Sequence, residues 1–358
     1  MTPGYSGVDG VSAVTRAYVN AVCSWIPRVD VWALDEEPGS PIPDGASRLR
    51  GARGHRVLFG SYGVMERDVD RQTLVIVQHV HLLPAVLPLI ARGARVLVVL
   101  HGIEAWTRLR RFGRAACRRA WKLAPVSSYT ARLFRAANPE VSPVPMDVCA
   151  PGLPDAPVPS ATVGYGLYAL IVGRMRAAEQ YKGHDELLEV WPAVRSQVPG
   201  ASLVIAGGGD DRARLQQKAS ALGLDEAVFF EGVVDDARLQ ALYRSAALFA
   251  MPSSNEGFGL VYVEAMRAGL PCIVAPGAAE EIVEHERTGL VVPARDRASI
   301  ERALVRLLTH PVERAAMGRA AQAAAARFTA DAFRSRLAAL LEVTGYPLRA
   351  EQRSAVGC

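Results

Sequence analysis

The chain has 358 residues, half of them hydrophobic and 22% charged, with 31 glycines and 23 prolines spread along it. That is the composition of a globular protein, and its length suits two domains of roughly 100–200 residues each rather than one core. The net charge of +5 lies wholly in the first half: through Ser160 there are 19 Arg and Lys against 13 Asp and Glu, and beyond it 22 against 23. Five cysteines, at 23, 117, 149, 272 and 358, show no paired spacing, so neither a zinc site nor a disulfide framework follows and a reducing compartment fits. Glycines and polar residues stand where a secretory h-region would be, and the longest apolar run, near 96–100, is far too short to cross a bilayer. A cytoplasmic protein is expected, free or peripheral on the inner face of the cell membrane.

Residues 1–10 read as a glycine-rich loop, continued by an amphipathic helix with Val11, Val14, Tyr18 and Val22 three to four apart. A doubly wound domain opens with a buried strand before its first glycine loop. Here Met1 falls almost on the loop, and the expectation is that the first strand lies upstream of this sequence, because its loss would leave neighbouring edges unpaired. A strand follows in DVWALDE, then a turn-rich excursion at 36–54. Strands are expected at 73–79 and 94–102, with a short helix between them, and a strand end at 124–128 leads into another helix. Between 106 and 123, seven bases interleave with Trp106, Leu109, Phe112 and Trp121 without an acid, which reads as a helix that lies on anionic lipid or as a solvated arginine face. Nucleic acid is not an expected partner, since no binding module or aromatic ladder is present.

Four prolines in 150–164 mark a linker. Beyond it, strands at 168–175, 201–209, 227–234 and 289–293, and the apolar runs LFAMP and PCIVAP, alternate with helices. The last of these helices are two alanine-rich segments. Such alternation argues parallel sheets covered on both faces, with ligands outside the carboxyl ends of the strands.

The chemistry concentrates in PSSNEGFGLVYVEAMRAGLPCI. Glu256 ends a polar loop, Gly257, Phe258, Gly259 and Leu260 lead into a helix, and Glu264 follows eight residues after the first acid. A loop of free N–H groups running into a helix N-terminus suits a sugar on a phosphate. Gly173, Arg174 and Lys182 follow another strand, where two cations can grip a diphosphate. Glu264 suits the two hydroxyls of a ribose, and the turn at Gly232–Val234, with Val233 at its centre, is a slot for a base or a plain turn. His101 ends a strongly apolar strand and either faces the ligand or is structural. His79 and His81 are open to the same two readings, and Gly7 and Gly10 permit close backbone approach. Asp68 and Asp70 have no strand before them, so the sequence offers no metal-binding acid pair of the type used in sugar transfer. Gly207–Gly209 lacks dinucleotide-fingerprint spacing.

Together GRMRAAEQYKGH, AGGGDD, FEGVV, the Glu256 and Glu264 pair, GYSGVDGVSAVTR and HGIEAW resemble the retaining glycosyltransferases of family 4, among them enzymes of exopolysaccharide and lipid-linked glycan assembly. The resemblance implies an α/β protein of GT-B fold, two Rossmann-like β/α/β domains facing a central cleft. The expected limits are 1–155 for the acceptor side, 156–328 for the nucleotide-sugar side, and 329–358 for a helix crossing back and a tail. It implies a hexose moved from a UDP- or GDP-sugar to a saccharide or polyprenyl-linked oligosaccharide, with retention of configuration and with neither cofactor nor metal. By it Arg174 and Lys182 hold the diphosphate, Glu264 the ribose, Glu256 with Gly257–Leu260 the sugar, and His101 meets the sugar from the first domain. The alternatives are an epimerase or hydrolase of the same fold, a non-catalytic binding partner, and a nicotinamide oxidoreductase.

Overall fold

The computed structural model describes residues 1–7, 9–154 and 163–343, so Cys358 and the core of the proline-rich stretch lie outside the described residues. The chain divides into two compact units, Met1–Pro154 with Phe328–Cys358, and Asp155–Arg327.

In the first unit, α1 (Gly10–Cys23) starts at Asp9, whose carboxylate accepts from the N–H groups of Val11 and Ser12. Then come β1 (Asp30–Ala33), β2 (Arg48–Gly51), α2 (Arg56–Met65), β3 (Leu74–Val77), α3 (Leu83–Ala91), β4 (Arg95–Leu100), α4 (Arg111–Cys117), β5 (Lys122–Pro125) and α5 (Ser128–Ala137). All pairings are parallel, β1 with β2 and β3–β4–β5 in a row. Residues 1–3 lie between the two groups: Thr2 N–H donates to the Trp32 carbonyl (2.9 Å), and the Met1 amino group to that of Ile76 (2.8 Å). A short stub therefore holds the carboxyl end of the place where a first strand was expected, and the strand edges are bridged there. β4, a run of aliphatic residues, is buried over Val96–Leu100, as a strand covered on both faces must be.

Two expectations fail here. The excursion at 36–54 contains β2, whose RLRG carries no apolar alternation because it is an edge strand, and α2 follows it unforeseen. The basic stretch 106–123 is not one helix: α4 covers only Arg111–Cys117, and Lys122 is buried in β5, paired with Asp147. Trp106 packs edge-on against Tyr129, and Trp121 lies under Arg95. Sheet pairing of the Lys122–Pro125 backbone outweighs helix continuation.

The second unit runs β6 (Tyr168–Val172), α6 (His184–Gln197), β7 (Ser202–Ala206), α7 (Arg212–Ala221), β8 (Val228–Gly232), α8 (Asp236–Ser245), β9 (Leu248–Met251), α9 (Leu260–Arg267), β10 (Cys272–Val274), β11 (Gly289–Val291), α10 (Arg297–Thr309) and α11 (Pro311–Ala325). Its sheet is ordered β11-β10-β9-β6-β7-β8, all parallel. The chain leaves β6 towards β7 and β8, then returns to β9 on the other side of β6. The order thus reverses between β6 and β9, which opens a crevice at their carboxyl ends. Helix α12 (Ala330–Val343) belongs to the first unit, where Phe333 packs edge-on against Tyr18 at 5.0 Å.

Candidate functional site

In the second unit the reversal point is flanked by two loops, Gly173–Lys182 after β6 and Pro252–Gly259 after β9. Gly173 N–H donates to the Ala206 carbonyl (2.9 Å) and Met175 N–H to that of Gly208 (2.8 Å). Gly207 and Gly209 have φ of +136° and +152°, and a Cβ on them would lie 2.0 Å from the Gly173 oxygen and 1.9 Å from that of Met175. Only glycine lets two backbones approach so closely. The glycine run therefore clamps the loop that carries Arg174, a role that its spacing did not announce, although three glycines at a strand's carboxyl end were its signal.

The Arg174 guanidinium, half exposed, pairs with Glu179 at 2.7 Å. Lys182 ends a 3₁₀ segment (Ala177–Lys182) and so precedes α6 rather than sitting in its first turn. Gly183 then turns at φ +92°, where a Cβ would press on the Pro252 ring at 2.8 Å. Ser254 N–H donates to the Tyr181 carbonyl (3.0 Å), which ties the two loops together. Across this tie Lys182 Nζ donates to Glu256 Oε1 at 2.8 Å, with side chains only 12% and 15% exposed, and the Ser253 hydroxyl donates to the same oxygen at 2.9 Å.

Gly259 precedes α9 with φ +98°, and a Cβ there would meet the Tyr262 ring at 2.4 Å. No side chain caps this helix, and Leu260 is its first residue. Phe258 is buried and Gly257 partly so. On the second turn of α9, Glu264 Oε2 accepts from the Tyr243 hydroxyl (2.9 Å). Burial raises the Glu264 carboxyl above its ordinary value, with the Tyr243 bond pulling the other way. Tyr243 went unnoticed in the sequence, since nothing local links it to an acid 21 residues away. Val233 is 76% exposed and lies over Gly208, whose Cβ position is 2.7 Å from a Val233 methyl. His184, buried at the start of α6, has an Nε2 without a partner among the described residues. Burial, with Lys182 beside it, lowers its pKa to about 4.

In the first unit, Gly7 packs against Asp9 and Ser12, with both oxygens 2.7 Å from its Cβ position, whereas Gly10 has open space at the start of α1. The N–H groups of Tyr5 and Ser6 both donate to Glu36 (2.9 and 2.7 Å), so this part of the glycine loop is pinned by an internal carboxylate. Burial works against the Glu36 charge, but the bonds from Ser6 and Tyr5 hold its pKa below the ordinary value. His101 stands at the end of β4. Its Nε2 meets Gln78 Oε1 at 3.1 Å, while Glu104 Oε1 accepts from the N–H groups of His101 and Gly102 (2.9 and 3.0 Å). Burial lowers the His101 pKa to about 4, so the ring is neutral. His79 packs on His81 with ring centres 4.7 Å apart. Among the described residues no three His, Cys, Asp or Glu side chains are grouped to hold a metal ion. Asp68 pairs with Arg28, and Asp70 caps its own turn.

Two parallel β/α/β units, one with its acids and cations on either side of a strand-order reversal, define a protein of the GT-B class. Residues 166–324 match the family model described as "Glycosyl transferases group 1". The chain is 33% identical over 253 residues to the GDP-mannose-dependent alpha-(1-6)-phosphatidylinositol monomannoside mannosyltransferase of Mycobacterium tuberculosis, a match covering 64% of this chain and 65% of that protein. The chain thus spans about 65% of the length of that curated relative. It is 35% identical over 176 residues to the D-inositol 3-phosphate glycosyltransferase of Salinispora tropica, covering 46% of this chain and 36% of the relative. Among solved structures, Anabaena HepE in complex with UDP and glucose has a TM-score of 0.77 at 17% identity over 96% of this chain and 98% of its own. Sucrose-phosphate synthase from Thermosynechococcus elongatus has a TM-score of 0.75 at 21% identity, covering 93% and 92%.

Proposed function

We propose that the protein is a glycosyltransferase that moves a hexose from a nucleoside diphosphate sugar to a saccharide acceptor carried on a lipid, with retention of configuration and without a metal. The observation that carries this reading is the Lys182–Glu256 pair, which joins the two loops of the β6/β9 crevice. A diphosphate entering there takes over the lysine as its counter-charge, with Arg174 as a second donor, and frees Glu256 for the hydroxyls of the sugar. Glu264 takes the ribose, and the turn at Val233 the base. His101, neutral and fixed by Gln78, is assigned to the transferred sugar. With cations to offset the leaving phosphates, the acceptor hydroxyl attacks from the side on which the phosphate departs, and a phosphate oxygen takes its proton. The name of the mycobacterial relative puts GDP-mannose first among the donors to test and a mannosylated inositol lipid first among acceptors. Attachment to anionic membrane is assigned to the exposed Arg108, Arg110, Arg111, Arg118 and Arg119 with Phe112, which is 61% exposed. Among the described residues no helix is long and apolar enough to cross a membrane.

The test is a panel of GDP- and UDP-sugars, with NAD as control, incubated with and without lipid-linked acceptor and with chelator. Acceptor-dependent release of the nucleotide, unaffected by chelator and with the donor's anomeric configuration in the product, is the expected result. Release of free sugar alone would make the protein a hydrolase. Binding of no nucleotide sugar would overturn the proposal.

A further inference from the structure

Helix α2 (Arg56–Met65), RVLFGSYGVM, carries a single charge, at its first position. A helix that is apolar all round is normally buried all round. The inner face of α2 obeys this. Phe59 is buried, and at Gly63 the α3 backbone comes so close that a Cβ would lie 2.3 Å from the Ala85 oxygen. The outer face is bare: Val57 is 89% exposed, Leu58 40%, Val64 58% and Met65 61%. Among the described residues no other helix carries two exposed large apolar side chains.

At ~100° per residue, Val57, Leu58, Ser61, Val64 and Met65 share an arc of ~120°. The stripe they form is symmetric about Ser61. Val57 stands four residues before it and Met65 four after, while Leu58 and Val64 stand three to either side. A two-fold axis through Ser61 therefore sets a second, antiparallel α2 on the first, with Val57 on the partner's Met65 and Leu58 on the partner's Val64. The small Ser61 falls where the helices cross and lets them approach. Its hydroxyl already donates to the Leu58 carbonyl at 2.7 Å, so covering it strands no donor. The N-terminus of α2 has neither a side-chain cap nor an acid in its first turn, and an antiparallel mate brings the negative end of its own dipole there.

A lipid surface fits this face less well. Most bases around it are taken up by acids, Arg53 by Glu37, Arg48 and Arg50 by Glu66, and Arg28 by Asp68, which leaves little charge to attract anionic headgroups.

We propose that the outer stripe of α2 is the contact of a homodimer, in which two copies of the chain meet antiparallel about a two-fold axis at Ser61. Four side chains a copy cover less than the ~800 Å² a side of a standard interface, so the pair is weak, with a Kd of about 10–100 μM.

Sedimentation of the full chain from about 5 to about 500 μM is expected to show monomer passing into dimer across that range. The double variant Val57→Ser, Val64→Ser changes only exposed positions; it should keep its Tm and dimerise at least about tenfold more weakly. Cysteine trapping reads the register, since helices packed 8–10 Å apart bring facing Cα atoms to about 5 Å, within disulfide reach. In a Cys23→Ser, Cys358→Ser background, Ser61→Cys is expected to link to itself on mild oxidation. A mixture of Val57→Cys and Met65→Cys chains should give the mixed disulfide ahead of either homodimer. A chain still monomeric at about 500 μM overturns the proposal, as does a dimer that the double serine variant leaves equally tight. Met65→Cys linking to itself more readily than to Val57→Cys would make the pairing parallel and overturn it too. A monomer that floats with anionic vesicles, and no longer does so in the double serine variant, would give the stripe to lipid instead.

Discussion

Replacing Lys182 by Met keeps most of the side-chain volume and removes the charge, and its consequences separate into two measurable parts. Lys182 and Glu256 are 12% and 15% exposed, between a surface pair, where loss costs about 0–1 kcal/mol, and a fully buried one, where it costs about 3–5. With the Ser253 hydroxyl still donating to Glu256, a loss of about 1–3 kcal/mol is expected, or a fall in Tm of roughly 2–10 °C for a unit of this size. The second part is donor binding. A charge-assisted hydrogen bond to a diphosphate is worth about 1.5–3 kcal/mol, so the Kd for GDP or UDP rises about 10- to 150-fold. Adding Glu256→Gln removes the stranded carboxylate and restores most of the Tm, but it does not restore nucleotide affinity. Titration calorimetry and thermal melts on the single and double variants read both quantities. If Lys182→Met binds the nucleotide as tightly as the unaltered protein, the lysine does not hold the diphosphate and the assignment of the crevice fails.

Gly207→Ala places a methyl 2.0 Å from the Gly173 oxygen at φ +136°, so the Arg174 loop must move. Melting is expected to drop by the equivalent of about 1–3 kcal/mol, and nucleotide affinity with it; unchanged affinity would count against the clamp. Glu264 has a raised carboxyl pKa, so the native chain holds that proton more tightly than the unfolded chain does and loses stability as pH rises above the ordinary value of 4.5. Glu264→Gln removes this loss, so its Tm relative to the unaltered protein should climb as pH goes up; a difference constant with pH refutes the argument. His184 acts in the opposite sense. Its pKa is lowered from 6.5 to about 4, so the stability it contributes is present above 6.5 and disappears as pH falls towards 4. His184→Gln should flatten the melting profile across that window, and an unaltered slope would show that the ring is not held neutral. Tyr243→Phe leaves Glu264 without its hydroxyl donor, which costs about 1 kcal/mol and weakens binding of the nucleoside. Binding measured with GDP against inorganic diphosphate checks this, since only the nucleoside carries the ribose.

Much of the second unit is legible residue by residue. Aliphatic runs such as Ser202–Ala206 and Leu248–Met251 form buried strands because a central parallel strand is covered on both faces. Gly259 and the helix carrying Glu264 follow from local backbone demands. The first unit is harder to read. Its edge strand Arg48–Gly51 shows no alternation, and the arginine-rich stretch has helical composition but is broken to supply Lys122–Pro125 to the sheet. Local propensity there yields to pairing with β4, which local periodicity does not report.

By itself the sequence determined the class of fold and the chemical groups at issue: cations after one strand, acids after another, glycines at the turns. These are local properties, set by side-chain type and by spacing within a few residues. Only the tertiary structure decided which of them meet. It pairs Lys182 with Glu256 across 74 residues and sets Gly207–Gly209 against the Arg174 loop. It also leaves β1 and β3 facing each other across a slot that Met1–Pro3 closes at one end. Such meetings depend on strand order, which is settled by the packing of the whole unit and leaves no mark on any one stretch of chain.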